Sequence, residues 1–252
     1  MSTNKIALIT GGSRGLGKNA AQHLAKKGID VILTYRSKKE EAEEVVASIE
    51  KFGQKAAALQ LDTSIIKSFD GFITQLSALL QEKWGRNTFD FLINNAGIDA
   101  ASKFAETTEE DFDNLMNIHF KGVYFLTQKS LPVIADGGRI INFSTGLARF
   151  STPGYAAYAS MKGAIEVLTK YLAKELGPRG IAANVVAPGI IETDFTKEAF
   201  SHEGMHDRIA GITALGRPGM PDDIGGIVAF LCTEEARWIN AQRIEASGGM
   251  FL

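Results

Sequence analysis

The sequence predicts an α/β chain with a doubly wound parallel sheet, and three observations carry that prediction. Short apolar runs recur along the 252 residues, at 6–10, 31–35, 56–61, 89–93, 139–144, 182–187 and 239–246. Helix-length amphipathic segments separate most of them. The runs are apolar almost throughout, as strands covered on both faces must be. In such a sheet ligands bind beyond the carboxyl ends of the strands, so chemistry is expected in the residues that follow each run.

No repeat, low-complexity tract or Pro/Ser-rich linker divides the chain, and residues 1–252 read as a single domain. Hydrophobic residues make up 45% and charged ones 22%, ordinary for a soluble globular protein with a sizeable core. The balance of 27 basic to 29 acidic residues leaves no electrostatic footprint for nucleic acid or an anionic membrane. The single cysteine, Cys232 in IVAFLCT, excludes an intrachain disulfide and a cysteine-rich metal site, and its neighbours place it in the core. No apolar run reaches membrane-spanning length and MSTNKIALITGG lacks a signal-peptide pattern, so the expected location is cytoplasmic.

The first run leads into Thr10, Gly11, Gly12, Ser13, Arg14, Gly15, Leu16 and Gly17, and then a helical segment. Glycines there let backbone N–H groups approach a pyrophosphate, with the positive end of the helix dipole behind them. The spacing is G-x-x-x-G-x-G, not the commoner dinucleotide G-x-G-x-x-G, and a ligand-free tight turn is the plain alternative. After the second run, where an acidic residue would accept bonds from a ribose 2′-hydroxyl, stands Arg36. With Arg14 it offers charge-assisted bonds to a 2′-phosphate. Lys38, Lys39 and the acidic run behind them read as a solvated helix face.

The third run ends in Asp62-Thr63, a pair suited either to an adenine edge or to a helix cap. The fourth ends in Asn94-Asn95-Ala96-Gly97, small and amide residues that close over a flat ligand or build a turn. A long helix is expected at about 109–130, and Asn117 inside it is a poor helix former. Ser144-Thr145 follows the fifth run. Residues 153–176 read as a helix, with Ile165, Leu168, Leu172 and Leu176 at three- and four-residue steps and Gly177-Pro178 as the stop. Near its start Tyr158 and Lys162 stand four apart and share a face, a pairing that suits a proton donor. At ~5 Å and an effective dielectric of ~20 the ammonium favours phenolate by roughly 3 kcal/mol, enough to bring a tyrosine from ~10 towards ~7.5. The same spacing occurs at Tyr35 and Lys39, so spacing alone decides nothing.

Taken together, TGGSRGLG, NNAG, Asn117, a hydroxyl pair before Tyr158-Ala159-Ser160-Met161-Lys162, APGIIETD and the terminal SGGM resemble the short-chain dehydrogenase/reductase family. The likeness is strongest to its 3-oxoacyl-carrier-protein reductase-like members and covers nearly the whole chain. It implies a Rossmann fold and an NADP(H)-dependent reductase acting on a small-molecule carbonyl. The reverse reaction on a sugar or alcohol, or a regulator that binds NADP(H) without turnover, remain open alternatives. The resemblance makes Tyr158 the acid and Lys162 the residue that lowers its pKa and holds the nicotinamide ribose. It has Asn117 order a water that connects Lys162 to solvent. Asn95, Ala96 and Gly97 would line the adenosine ribose, and Pro188, Gly189, Ile191 and Thr193 the nicotinamide. The family's substrate-orienting serine lies thirteen residues before its tyrosine, which here is Thr145; Ser144 is one step off, on the other strand face.

Residues 192–215 would be a short lid over the substrate. His202 and His206 within it read as solvated rather than as a metal pair, since no third ligand is near. A homotetramer is expected, through the apolar stripe of the 153–176 helix, Leu115, Phe120, Tyr124 and Phe125 of the preceding long helix, and the terminal Met250-Phe251-Leu252.

Overall fold

A computed structural model describes residues 4–99 and 101–252; the first three residues of the N-terminal stretch read above, and Ala100, lie outside the described residues. The chain runs through β1 (Ile6–Ile9), α1 (Gly15–Lys26), β2 (Asp30–Tyr35), α2 (Lys39–Glu50), β3 (Ala56–Gln60) and α3 (Phe69–Trp84). It continues through β4 (Phe89–Asn94), α4 (Glu109–Met116), a π-turn (Asn117–Lys121), α5 (Gly122–Ser130) and β5 (Ile134–Phe143). The last third holds α6 (Ala156–Glu175), β6 (Ala182–Pro188), α7 (Lys197–Phe200), α8 (Met205–Gly211), α9 (Pro221–Leu231) and β7 (Arg243–Ala246).

The strands form one seven-stranded parallel sheet in the order β3-β2-β1-β4-β5-β6-β7. Every residue of β1, β4 and β6 is buried, which is why those runs carry no polar alternation. Alternate residues feed two cores. Ile9, Val31, Ile93 and Val186 pack with Leu24 of α1, Val45 of α2 and Val228 of α9. Leu8, Ile32, Leu92 and Ile140 pack on the other face with Leu76 of α3, Leu126 of α5 and Ala173 of α6. Cys232 is buried in the first of these layers, and burial pushes its thiol up. No helix among the described residues is long and apolar enough to cross a membrane.

Three boundaries differ from the sequence reading. β5 starts five residues before the predicted 139, because Ile134 pairs with Phe89 across an irregularity in register, while Arg139 Nη1 bonds the Gly137 and Gly138 carbonyls at 2.5 and 2.8 Å. β7 starts later than 239, because Ala241 takes φ 58° and Asn240 Oδ1 accepts from Ala183 N at 2.9 Å. α6 opens at Ala156, after a bend through Pro153 and Gly154.

The apolar stripe expected to mediate assembly faces inward. Ile165 and Leu176 are 1% and 8% exposed and Leu172 packs on the second core, so the sheet takes up that surface. The outward apolar residues of α6 are Val167 and Tyr171, at 53% and 63% exposure. Met250 is likewise buried against the chain itself, through a bridge to Thr213, while Phe251 and Leu252 stay exposed.

Candidate active site

Strand order turns between β1 and β4, and the two loops that leave their carboxyl ends frame a crevice. Thr10 Oγ1 accepts from Asn95 N and Ala96 N, each at 3.0 Å, and Asn95 Nδ2 donates to Thr10 O at 2.9 Å and Gly11 O at 3.1 Å. The Asn95 amide, expected to line a ribose, is thus engaged in shaping the glycine loop. A side chain at Gly17 would run into the Gly11 carbonyl, so α1 can start tight beneath that loop. Gly15 has φ 55° and open space where a Cβ would stand. α1 begins there with no side-chain cap and no acidic residue in its first turn, which leaves first-turn N–H groups and the positive dipole end to a ligand. That donor set fits a pyrophosphate. Ser13 and Leu16 sit half-buried in the loop, Leu16 against the first core.

Arg14 and Arg36 are exposed at the same rim, and neither side chain has a hydrogen bond or ion pair among the described residues. Gln60 Nε2 donates to the Arg36 carbonyl at 2.9 Å and fixes the backbone there. Lys39 pairs with Glu43 at 3.5 Å on the outer face of α2, away from any such use. At the end of β3 the turn is what forms. Asp62 Oδ1 accepts from Ser64 N at 2.9 Å and Ser64 Oγ at 2.6 Å, and the Thr63 carbonyl abuts Gly122.

The first turns of α6 set Tyr158 and Lys162 beside the end of β5. Lys162 is 5% exposed, its Nζ stands 5.7 Å from the Tyr158 ring centroid and donates to Phe143 O at 2.9 Å. Thr145 lies within hydrogen-bonding reach of the Tyr158 phenol. Ser144 turns away, with its Oγ donating to Glu166 Oε1 at 2.6 Å. The simple Coulomb expectation for the tyrosine fails. Burial, then the Asp99 carboxylate, push Tyr158 above the ordinary phenol value, and only the Thr145 hydroxyl pulls it down. The residue as a whole is only half-buried, which limits that push. Burial acts on the lysine as well and lowers it to about 8. Desolvation of both groups outweighs the attraction between them.

Among the described residues the side chain of the long helix that meets this pair is His119. Asn117 opens the π-turn, with its backbone carbonyl facing Gly122, and no hydrogen bond of its side chain reaches Tyr158 or Lys162 among the described residues. His119 is 1% exposed and meets the Tyr158 ring edge-on, at 5.0 Å between centroids and 88° between planes. A π-turn adds a residue to the helical ring, so faces counted at 3.6 residues per turn slip where it occurs. The available signal was a histidine flanked by Ile118 and Phe120 on an otherwise apolar helix face.

Behind Thr145 a charged network locks the loop. Arg243 donates through Nε to Glu166 Oε1 at 2.7 Å, through Nη1 to Glu245 Oε2 at 2.8 Å and through Nη2 to the Thr145 carbonyl at 3.0 Å. Arg149 Nη2 adds Glu245 Oε1 at 2.8 Å and Met250 O at 2.9 Å. Of the residues expected on the nicotinamide side, Pro188 closes β6, and a Cβ on Gly189 would stand 2.9 Å from Ser247 Cα. Ile191 is 5% exposed and points into the first core, and Thr193 N donates to Thr196 Oγ1 at 3.1 Å. The 192–215 segment carries α7 and α8. His206 rests on the Phe200 ring and faces Glu192 at 3.4 Å, while His202 is exposed.

A second polar feature was not read from the sequence. Asn94 Nδ2 donates to Asn142 Oδ1 at 2.8 Å and Thr127 Oγ1 at 3.1 Å, and Asn142 Nδ2 to Thr169 Oγ1 at 2.9 Å. This chain crosses the sheet beneath the site and ties α5 to α6.

Known proteins are similar to this chain from end to end. A family profile described as enoyl-(acyl carrier protein) reductase matches residues 11–251. An uncharacterized oxidoreductase of Methylorubrum extorquens is 38% identical over 98% of this chain and 97% of its own. A short-chain dehydrogenase/reductase of Pestalotiopsis microspora is 35% identical over 97% and 94%. The crystal structure of the angucycline C-6 ketoreductase LanV with bound NADP superposes with a TM-score of 0.93 at 37% identity, covering 98% of this chain and 95% of that one. By profile, sequence and fold, the chain belongs to the short-chain dehydrogenase/reductase family.

Proposed function

We propose that the protein is an NADPH-dependent reductase of a ketone or aldehyde. One observation carries the reading: the phenol of Tyr158, the hydroxyl of Thr145 and the ammonium of Lys162 converge at the carboxyl end of β5, on the same side of the parallel sheet as the open start of α1. LanV, solved with NADP, is a ketoreductase of the same fold. The first turn of α1 and the glycine loop hold the pyrophosphate, and Arg14 and Arg36 take the 2′-phosphate. When bound, NADPH supplies a hydride to the carbonyl carbon. Thr145 holds the carbonyl oxygen by donating its hydroxyl proton to it. Tyr158, kept protonated by its surroundings, delivers its proton to that oxygen. Lys162 faces the phenolate that remains, stabilises its charge and returns a proton to it. The Thr145 methyl narrows the space above the carbonyl compared with a serine.

The test is consumption of NADPH against a panel of acyl, sugar, quinone and aldehyde carbonyls, with thermal protection by NADPH in parallel. Turnover of at least one carbonyl is the expected result. Tight NADPH binding without turnover on any would favour a regulator, and efficient oxidation of sugars or alcohols alone would favour a dehydrogenase.

Assembly belongs to the same reading. A cytoplasmic homotetramer would cover Val167 and Tyr171 of α6 together with Phe112 and Tyr124, which are 40% and 42% exposed on α4 and α5. Sedimentation at micromolar concentration should give about four chain masses, and Tyr171→Glu should shift it downward.

A further inference from the structure

Thr145 stands where the chain leaves the sheet. β5 ends at Phe143, and one more strand-type bond runs from Ser144 N to Val186 O at 2.8 Å. Among the described residues the ladder ends there, and the loop turns at once. A hydroxyl that must hold a carbonyl oxygen needs a backbone that does not drift. Arg243 supplies that hold from the last strand. It pairs with Val185 of β6 at the edge of the sheet, and its side chain reaches across β6 to the end of β5.

The guanidinium makes bonds in three directions. Nε donates to Glu166 of α6, Nη1 to Glu245 of β7 and Nη2 to the Thr145 carbonyl, at 2.7, 2.8 and 3.0 Å. A second donor to that carbonyl, Ala148 N, stands farther off at 3.3 Å. The two carboxylates already meet the charge, so a staple needs no third bond. The planar fork holds that bond at a fixed angle to the other two, which a lysine ammonium cannot do. The side chains of Arg243, Glu166 and Glu245 are only 23%, 20% and 19% exposed, so water competes little for these bonds. Glu166 Oε1 also accepts from Ser144 Oγ at 2.6 Å, so one cluster grips two consecutive residues.

What the grip leaves free is the Thr145 side chain. Its Oγ1 accepts from Leu147 N at 3.3 Å, which leaves its own proton to be donated elsewhere. A β-branched residue has few χ1 rotamers, so a fixed backbone also fixes the hydroxyl. We propose that Arg243 is the positioning residue that sets the Thr145 hydroxyl for the substrate carbonyl, with Glu166 and Glu245 holding the guanidinium in place. The proposal rests on the reductase reading. Arg243 acts through the Thr145 backbone and not on the reacting atoms.

The test is a double-mutant cycle read on kcat/KM. Arg243→Lys keeps a charge between the carboxylates and gives up the fork. Its kcat/KM should fall about 10-fold on a carbonyl that the wild type reduces, with NADPH affinity unchanged. In a Thr145→Ala background the same substitution should change kcat/KM by less than about twofold, because the hydroxyl it places is gone. An arginine that only stabilises the fold would cost the same in both backgrounds. That result would overturn the proposal, as would wild-type kcat/KM in Arg243→Lys. Methyl NMR of threonine-labelled protein gives a reading without turnover. The Thr145 signal, assigned by its loss in Thr145→Ala, should shift or broaden in Arg243→Lys while that of Thr193 stays. An unmoved Thr145 signal would also overturn the proposal. If Arg243→Lys does not fold, Arg243→Met combined with Glu166→Met removes the pair together, which buried pairs tolerate, and takes its place in both measurements. Turnover surviving in Tyr158→Phe would instead remove the reductase reading itself, independently of the NMR result.

Discussion

At the amino end of the sheet Asp30 opens β2 and Asp90 stands second in β4, at 3% and 2% exposure. Asp30 accepts from Lys55 N at 2.8 Å and Trp84 Nε1 at 2.9 Å. Asp90 accepts from Ile6 N at 2.9 Å, Arg86 Nη1 at 2.9 Å and Lys5 Nζ at 3.0 Å. At the carboxyl end Lys162 is as deeply buried, yet it donates to the neutral Phe143 carbonyl, and His119 Nδ1 nearby has no partner among the described residues. The same cost of burying polar groups is met by full pairing at one end and left partly unmet at the other. A charge with all its bonds made is a staple. A charge or lone pair left open in a buried place is available to a reaction, and that difference marks the working end without reference to any ligand.

Breaking the pair at the working end should have the largest effect. Tyr158→Phe removes the proton donor and keeps the ring that packs on His119, so kcat should drop by about 10²–10⁴ while NADPH affinity and the melting temperature hold. A turnover near wild type would mean that the open groups there are not a reaction centre.

Acid should probe the same end next. His119 has a folded pKa near 3 against an ordinary 6.5, so between those values the unfolded chain binds a proton that the folded chain refuses. Stability from this group is therefore whole above pH 6.5 and is lost as pH falls towards 3, by an amount on the order of a few kcal/mol. His119→Asn should flatten the melting temperature between pH 6.5 and 4 relative to wild type. Parallel curves would show that the ring protonates freely.

The staple end should respond in stability alone. Asp90→Ala leaves the Arg86 guanidinium without its carboxylate and should cost about 3 kcal/mol, while kcat per folded molecule stays unchanged. Chemical denaturation and active-site titration separate the two. A loss of kcat there would mean that the ends are coupled through the sheet.

Much of this was legible beforehand, for identifiable reasons. Fully buried strands such as β4 and β6 announce themselves as unbroken apolar runs, and the turn residues that follow them mark the carboxyl ends. Thr145 and Ser144 separate by strand alternation alone, and the structure sends them to opposite partners. His119 was hidden because counting at 3.6 residues per turn cannot see a π-turn, so the odd residue noticed was Asn117. The assembly stripe misled because an amphipathic pattern does not say whether the chain's own sheet or a partner takes the apolar side. Val167 and Tyr171, which the sheet leaves out, lie off the pattern. The Asn94–Asn142–Thr169 chain joins residues distant in sequence and gives no local signal.

The smallest effect should come from the rim of the crevice, where groups are open but solvated. Arg36 is exposed and unpaired among the described residues, so a phosphate that binds it must displace water from a charge already well satisfied. Its bond is worth less than one made in a buried place, about 1–2 kcal/mol, or roughly 10-fold in affinity. Arg36→Ala should therefore weaken NADPH by about that factor and leave NADH unchanged, which lacks the phosphate. Arg36→Asp should go further and reverse the order, since a carboxylate repels the phosphate and accepts from a free 2′-hydroxyl. Thermal protection at fixed ligand concentration reads both, because a ligand at ~100 times its dissociation constant stabilises by ~2.7 kcal/mol. Equal weakening of NADH and NADPH in Arg36→Ala would place the arginine's role in the loop backbone that Gln60 holds. In neither variant should kcat at saturating cofactor move, because Arg36 stands outside the buried groups that handle the proton.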